Sequence, residues 1–343
     1  MRQFQIVLLL LSLSSTACLH IEKISPSPPT NSSSLSMPSL TPSLSPLRIT
    51  ILNVGQGDAS FIQTPNGKTI LIDAGRDGKG KEVILPFLDS QQVSHLDAII
   101  ATHYDADHIG GIDEVIVGKD GKKNTTDDFR PIDGVYDRGR EPFDESPFFP
   151  QYLQAIVDFR NMLRTGEELS LDPTIHIRCV SSNGEISGNP PLNFESNFSQ
   201  KENAASIGLL IEYGKFKYLT SGDLTGGGNP GGYETADLET ALGTSVGKVS
   251  ALHVNHHGSL TSSNASFVEN TRPLIAIINT GDNNDYHHPA QETLEKWRNV
   301  GADLWLTEKG SGGFIVGEQV VNGNIVLETD GNSMKVNGQG YKL

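Results

Sequence analysis

The stretch Ala101–Glu114, ATHYDADHIGGIDE, constrains the fold more than any other part of the chain. It follows Leu96–Thr102, an apolar run of buried-strand type, and places His103, Asp105, Asp107 and His108 on the loop that leaves that strand. Ligand-type side chains at alternating positions can point in two directions and serve two metal ions. Gly110 and Gly111 follow, where missing side chains let the loop and the next helix approach closely.

The rest of the chain supplies a scaffold for such a loop. Its 343 residues, 36% hydrophobic and 20% charged, suffice for a full core. Three short β-branched runs, Leu47–Val54, Ala59–Thr64 and Lys68–Asp73, read as an antiparallel meander. Glu82–Gln92 suits a helix, and Ser206–Asp223 suits two strands joined at Tyr213-Gly214. YETADLETAL suits a helix, KVSALHVN and LIAIIN suit strands, and PAQETLEKWRNVG suits a helix with Pro near its first turn. Asn322-Gly323 is a hairpin signal between two further strands. Strand clusters bracketing helices predict two sheets between helical layers over residues 47–336, with 337–343 as a tail.

A net charge of −15 leaves no basic stripe for broad binding of nucleic acid, so a nucleic-acid substrate would be gripped locally. Eight of the cations between Asp113 and Asn203, among them Arg138 and Arg160, could form a patch, but the many acids beside them favour a solvated loop. Cys179, in the period-2 stretch IHIRCV, reads as a buried strand residue.

The N-terminus reads as an export signal: Arg2, then the apolar run Ile6–Leu13, too short to span a bilayer, then small residues up to Cys18. Ser-Thr-Ala-Cys resembles the lipobox of bacterial lipoproteins, with Ser15 where Leu is usual. That resemblance implies cleavage before an acylated Cys18 and anchoring to a membrane surface; a plain cleaved signal is the alternative. Residues 19–46 are largely Ser and Pro and predict a flexible tether. No protein partner is evident.

ATHYDADHIGGI is similar to the first metal-binding motif of the metallo-β-lactamase superfamily, with Asp105 in place of its second His. LNVGQGDASFI, ILIDAG, LTSGDL, VNHHGSLTSS and HHPAQETL follow the order of blocks in the soluble hydrolase domain of the ComEC family of competence (DNA-uptake) proteins, which the chain resembles from Leu47 to Gly331. The resemblance implies an αββα sandwich of two mainly antiparallel sheets and a dinuclear site. His103 and Asp105 would bind one ion, Asp107 and His108 the other, and Asp223 would bridge them. The side chains of His256 and His257 should diverge, so one of them would complete the second site, His256 being preferred, with its neighbour supporting a ligand or touching substrate. Asp107 and His288 are the catalytic candidates, His288 as substrate contact or proton donor to the leaving group. Asp73, Asn203 and Ser259 are candidates to support ligands or touch substrate; Asn203 lies where the superfamily has a third-motif His.

Two divalent cations held this way would make a shared water a hydroxide near neutral pH. Zinc is the family default; Asp105 and the absent third-motif His raise the case for manganese. The expected activity is that of a phosphodiesterase or nuclease, with DNA among the substrates. The alternatives are a lactamase or other amide or ester hydrolase, and a non-catalytic surface binding protein.

Overall fold

Side-chain alternation along the strands decides the layers. In the computed structural model, which describes residues 45–143, 146–192 and 198–343, Ile70 and Ile72 face one side of their strand and Leu71 the other. Ile275 and Ile277 alternate with Ala276 and Ile278 in the same way. The export signal, Cys18 and the Ser/Pro tether lie outside the described residues.

The strands are β1 (Leu47–Ile51), β2 (Ser60–Gln63), β3 (Thr69–Ile72), β4 (Ala98–Ile100), β5 (Gly134–Asp137), β6 (Arg160–Met162), β7 (His176–Ser182), β8 (Glu185–Ile186), β9 (Gly208–Tyr213) and β10 (Phe216–Thr220). After these come β11 (Gly226–Gly228), β12 (Thr235–Asp237), β13 (Ala251–His253), β14 (Ile275–Ile278), β15 (Asp303–Leu306), β16 (Gln319–Val320), β17 (Ile325–Thr329), β18 (Ser333–Val336) and β19 (Gln339–Lys342). One sheet has the order β19-β18-β17-β1-β2-β3-β4-β5-β6 and the other β16-β15-β14-β13-β10-β9-β7-β8. Antiparallel pairing runs from β19 to β3, but β3 to β6 and β10 to β16 pair in parallel, so both sheets are mixed.

The inner faces share one core that includes Ile49, Ile100, Ile211, Tyr218 and Ile277, and Cys179 is buried there, its thiol pushed up to about 12 mainly by burial. The outer face of the first sheet packs on α1 (Leu85–Ser90), α2 (Ala106–Ile109), α3 (Ile112–Ile116) and α4 (Phe149–Ile156). Across the molecule, α5 (Lys201–Ala204), α6 (Glu239–Val246), α7 (Ala265–Thr271) and α8 (Gln291–Asn299) cover the outer face of the second. These are the two helical layers of the sandwich. No helix among the described residues is long and apolar enough to cross a membrane.

Three local expectations are corrected. Asn322-Gly323 joins no hairpin: β16 pairs with β15 in one sheet and β17 with β1 in the other, so the turn carries the chain between layers. The supposed tail is β19, which folds back on β18 across Asn337-Gly338. Within YETADLETAL the helix starts only at Glu239, because Asp237 accepts from Thr240 N and Oγ1 and stops the helix upstream, leaving Thr235–Asp237 to pair with β11.

Candidate metal centre

Parallel pairing brings the chemistry together. Asp73 follows β3 and His103 follows β4, while Asp223, His256 and the loop to His288 follow β10, β13 and β14, so every one stands at the carboxyl end of a parallel strand. Gly57 has φ +141°, and a Cβ there would lie 2.5 Å from Asp107 O; the GQG turn thus packs directly on the His/Asp loop and Asp58 N donates to Asp107 O at 3.0 Å. Gly110 and Gly111 approach the backbone of Arg76–Asp77 and of Ala74 and Gly80 with equal closeness.

Asp223, 2% exposed, is the centre of the cluster. Its Oδ1 lies 3.3 Å from His108 Nε2, and its Oδ2 lies 3.9, 3.6 and 3.8 Å from the Nε2 atoms of His103, His256 and His257. On one side His103 Nε2 is 3.6 Å from Asp105 Oδ2. On the other His257 Nε2 is 3.5 Å from Asp107 Oδ2. Two donor sets, His103/His108/Asp223 and Asp107/His108/His257, are each close enough to hold one cation.

Behind the ligand-type atoms, a layer of acceptors fixes the rings. Asp73, in left-handed conformation at φ 56°, lies 2.8 Å from His108 Nδ1 and takes hydrogen bonds from Thr102 N and Oγ1. His257 Nδ1 is 3.1 Å from Asn279 O and 3.2 Å from Asp58 Oδ1. Such contacts choose the tautomer and turn Nε2 inward. Thr261 Oγ1 lies 2.9 Å from His256 Nδ1 and 3.0 Å from Ser259 Oγ, so the Ser259 hydroxyl reaches the His256 ring through Thr261. Asn203 Nδ2 stands 3.4 Å from the His256 ring. Buried Glu239 binds Asn255, Ser263 and Asn264 and so ties down the turn that carries the histidine pair; burial nonetheless pushes its carboxyl up to about 7.

The expected divergence of the histidine pair is corrected. His256 and His257 both adopt left-handed backbone, φ 52° and 51°, so the two rings turn into the same cleft rather than diverging. His257, 2% exposed, joins Asp107 and His108, whereas His256 lies to the side with Thr261 and Asn203. Two successive non-glycine residues at positive φ cost about 1–3 kcal/mol each, strain of the kind that concentrates at functional sites.

Electrostatics test whether a metal fits. Burial disfavours the charged forms of His108 and His257, but Asp223 with Asp73 and Asp223 with Asp58 outweigh it and raise both well above the ordinary value. Burial likewise opposes ionisation of Asp223, yet His256, His108 and His257 hold its carboxyl well below the usual range. The cluster thus favours positive charge between its carboxylates. Nε2 of His103, His108 and His257 and Oδ1 of Asp223 are buried and make no hydrogen bond to the protein, which is the donor set a divalent ion needs. The residues fit the group.

Asp58 was missed in the sequence, although it sits in the GQGD block; it lies between His253 and His257, and its carboxyl is held below the usual range against the burial penalty. His253 is buried 3.6 Å from Asp58 Oδ1. The insert cations do not gather into a patch. Arg138 is buried on Glu202, Arg160 pairs with Asp137, Arg130 with Asp128, Lys119 with Asp89, and Lys123 donates to Gln154 O.

The sandwich and its His/Asp cluster define the class, a metal-dependent hydrolase with the metallo-β-lactamase fold, and residues 52–120 match the Metallo-beta-lactamase superfamily. Within that class the chain resembles the soluble hydrolase domain of the ComEC competence proteins. It is 28% identical over 265 residues to ComE operon protein 3 of Bacillus subtilis (strain 168), covering 72% of this chain and 30% of that protein. It is 25% identical to Recombination protein 2 of Haemophilus influenzae, covering 73% and 26%, and 26% identical to Competence protein ComA of Neisseria gonorrhoeae, covering 76% and 31%. The chain therefore spans under a third of the length of these curated relatives.

Proposed function

We propose that the protein is a dinuclear phosphodiesterase acting on nucleic acid at the cell envelope. The observation that carries this is Asp223: one buried carboxylate within 4 Å of four histidines, flanked by Asp105 on one side and Asp107 on the other. Paired divalent cations acidify water and neutralise charge on both the attacking and the leaving oxygen of a phosphoryl transfer. His103, Asp105 and Asp223 would hold one ion and Asp107, His108, His257 and Asp223 the other, with zinc or, given the carboxylate share, manganese. Asp73 and the Asn279 carbonyl keep the rings aligned, and His288 faces the cleft where a leaving group would emerge.

The full chain, stripped and reloaded with zinc or manganese, is expected to hydrolyse bis-p-nitrophenyl phosphate and linear DNA and to leave a chromogenic lactam intact. Lactam turnover without diester turnover would overturn the reading. The names of the relatives, which speak of competence and recombination, favour nucleic acid over a small diester.

Cys18 supplies the envelope attachment in this reading, through acylation after cleavage of the export signal. Cys18→Ser is expected to move the protein from the membrane pellet to the soluble fraction with diesterase activity unchanged, because a Ser/Pro tether separates anchor from site. Equal retention of the variant in the pellet would exclude the lipid anchor.

A further inference from the structure

A column of planar rings leads out of the centre. His257 stacks on His288 with centroids 6.1 Å apart and planes at 30°, and His288 stacks on Tyr286 at 5.7 Å and 26°. The column ends at Tyr286, which is 60% exposed at the mouth of the cleft. Its loop is braced: Asn284 Nδ2 donates to Gly281 O and His288 O, His288 N donates to Asn284 Oδ1, and Ser311 hydrogen-bonds to both Asn284 O and His288 O. A large aromatic face held rigidly in water is a docking surface with little ordering entropy left to lose.

Two donors flank the column. Arg76 stands with Cζ 5.8 Å from the Tyr286 centroid and, among the described residues, makes no ion pair, although the chain carries a net charge of −15. Gln56 lines the same cleft; its Oε1 accepts from Thr280 and Gly281, while its buried Nε2 has no acceptor in the protein. Arg76 Nη2 donates to Tyr286 Oη at 3.4 Å, which holds the cation beside the ring. A flat ring, a guanidinium without an ion pair among the described residues and an unpaired amide donor match three parts of one ligand: a base, a neighbouring phosphate and a phosphoryl oxygen.

We propose that Tyr286 and Arg76 form a base-stacking subsite, on which an unpaired nucleobase one or two nucleotides from the scissile phosphate continues the His257–His288–Tyr286 column. The proposal rests on the phosphodiesterase reading and names its substrate class. A base inside a duplex is already stacked on both faces, so the subsite selects single strands and frayed ends. It also answers how an acidic protein holds a polyanion: by a local grip of one ring and one cation, without a basic groove.

The test is equilibrium binding of a labelled, phosphorothioate-linked single strand to the metal-loaded full chain, against a strand of the same length with abasic sugars. The wild-type protein is expected to favour the base-bearing strand about 5- to 150-fold, the range for one stacked base. Tyr286→Ala should bind the two strands alike, and Tyr286→Trp should keep the preference. Arg76→Ala should weaken both strands and lower the salt slope by about 0.7, the value of one single-strand phosphate contact. Equal binding of both strands by the wild type, equal weakening of both by Tyr286→Ala, or no binding of either strand would overturn the subsite. Hydrolysis of methyl p-nitrophenyl phosphate by the wild type separates the two readings. Its presence beside a failed strand comparison removes the subsite alone; its absence with every metal removes the phosphodiesterase reading.

Discussion

Asp223→Ala is expected to strip the protein of metal as well as activity. The carboxylate is buried and reaches all four histidines of the centre, so its loss removes the one charge that would serve both proposed ions. His108 and His257 would lose the largest influence raising their pKa values while burial continues to press them toward neutrality. Loss of a supporting partner alone costs about 10–100-fold in metal affinity, so loss of a direct ligand should cost at least about 10²-fold, with turnover falling at least as far. Plasma emission spectrometry should find fewer than two ions per chain. Asp223→Asn, matched in size, should lose metal to a similar degree while melting as a folded protein, which assigns the effect to charge rather than to shape. Two ions per chain in Asp223→Ala would remove the bridging role.

The sequence made the local parts of this centre legible and left the long-range parts hidden. His103, Asp105, Asp107 and His108 lie within six residues after one strand, the first two before α2 and the last two in its only turn, so their chemistry could be read from spacing alone. Several strands were legible for the same reason: a short apolar run bounded by turn residues is a local signal, and β1, β3, β9 and β10 fall within the segments read as strands. Asp58 was not legible, because its position beside His257 depends on Gly57 lying against Asp107, a contact between different strand ends. The expected divergence of the His256 and His257 side chains failed for a backbone reason. Alternation assumes extended conformation, and two successive left-handed residues cancel it. Asn322-Gly323 failed at the level of topology: the turn signal was read correctly as a turn, but nothing local says which sheet the next strand joins. Arg138 reversed its expected setting, since only the fold brings Glu202 to it and takes both out of water.

His288→Ala is expected to lose about 10²- to 10⁴-fold in turnover on a diester with a poor leaving group, with metal content intact. The ring is 8% exposed, stacked between His257 and Tyr286, and burial together with His256 and His257 pushes its pKa down to about 3. His288 therefore meets the substrate neutral, and its buried Nδ1 has no hydrogen-bond partner in the protein. A diester anion entering the cleft acts in the opposite sense to the two histidines and favours the protonated ring, so the proton that the leaving oxygen needs would come with substrate binding. p-Nitrophenolate departs without a proton; on that ester the variant should lose far less. A residue that only grips phosphate would slow both esters alike, and comparable losses on the two would leave His288 as a binding residue and end its role as proton donor.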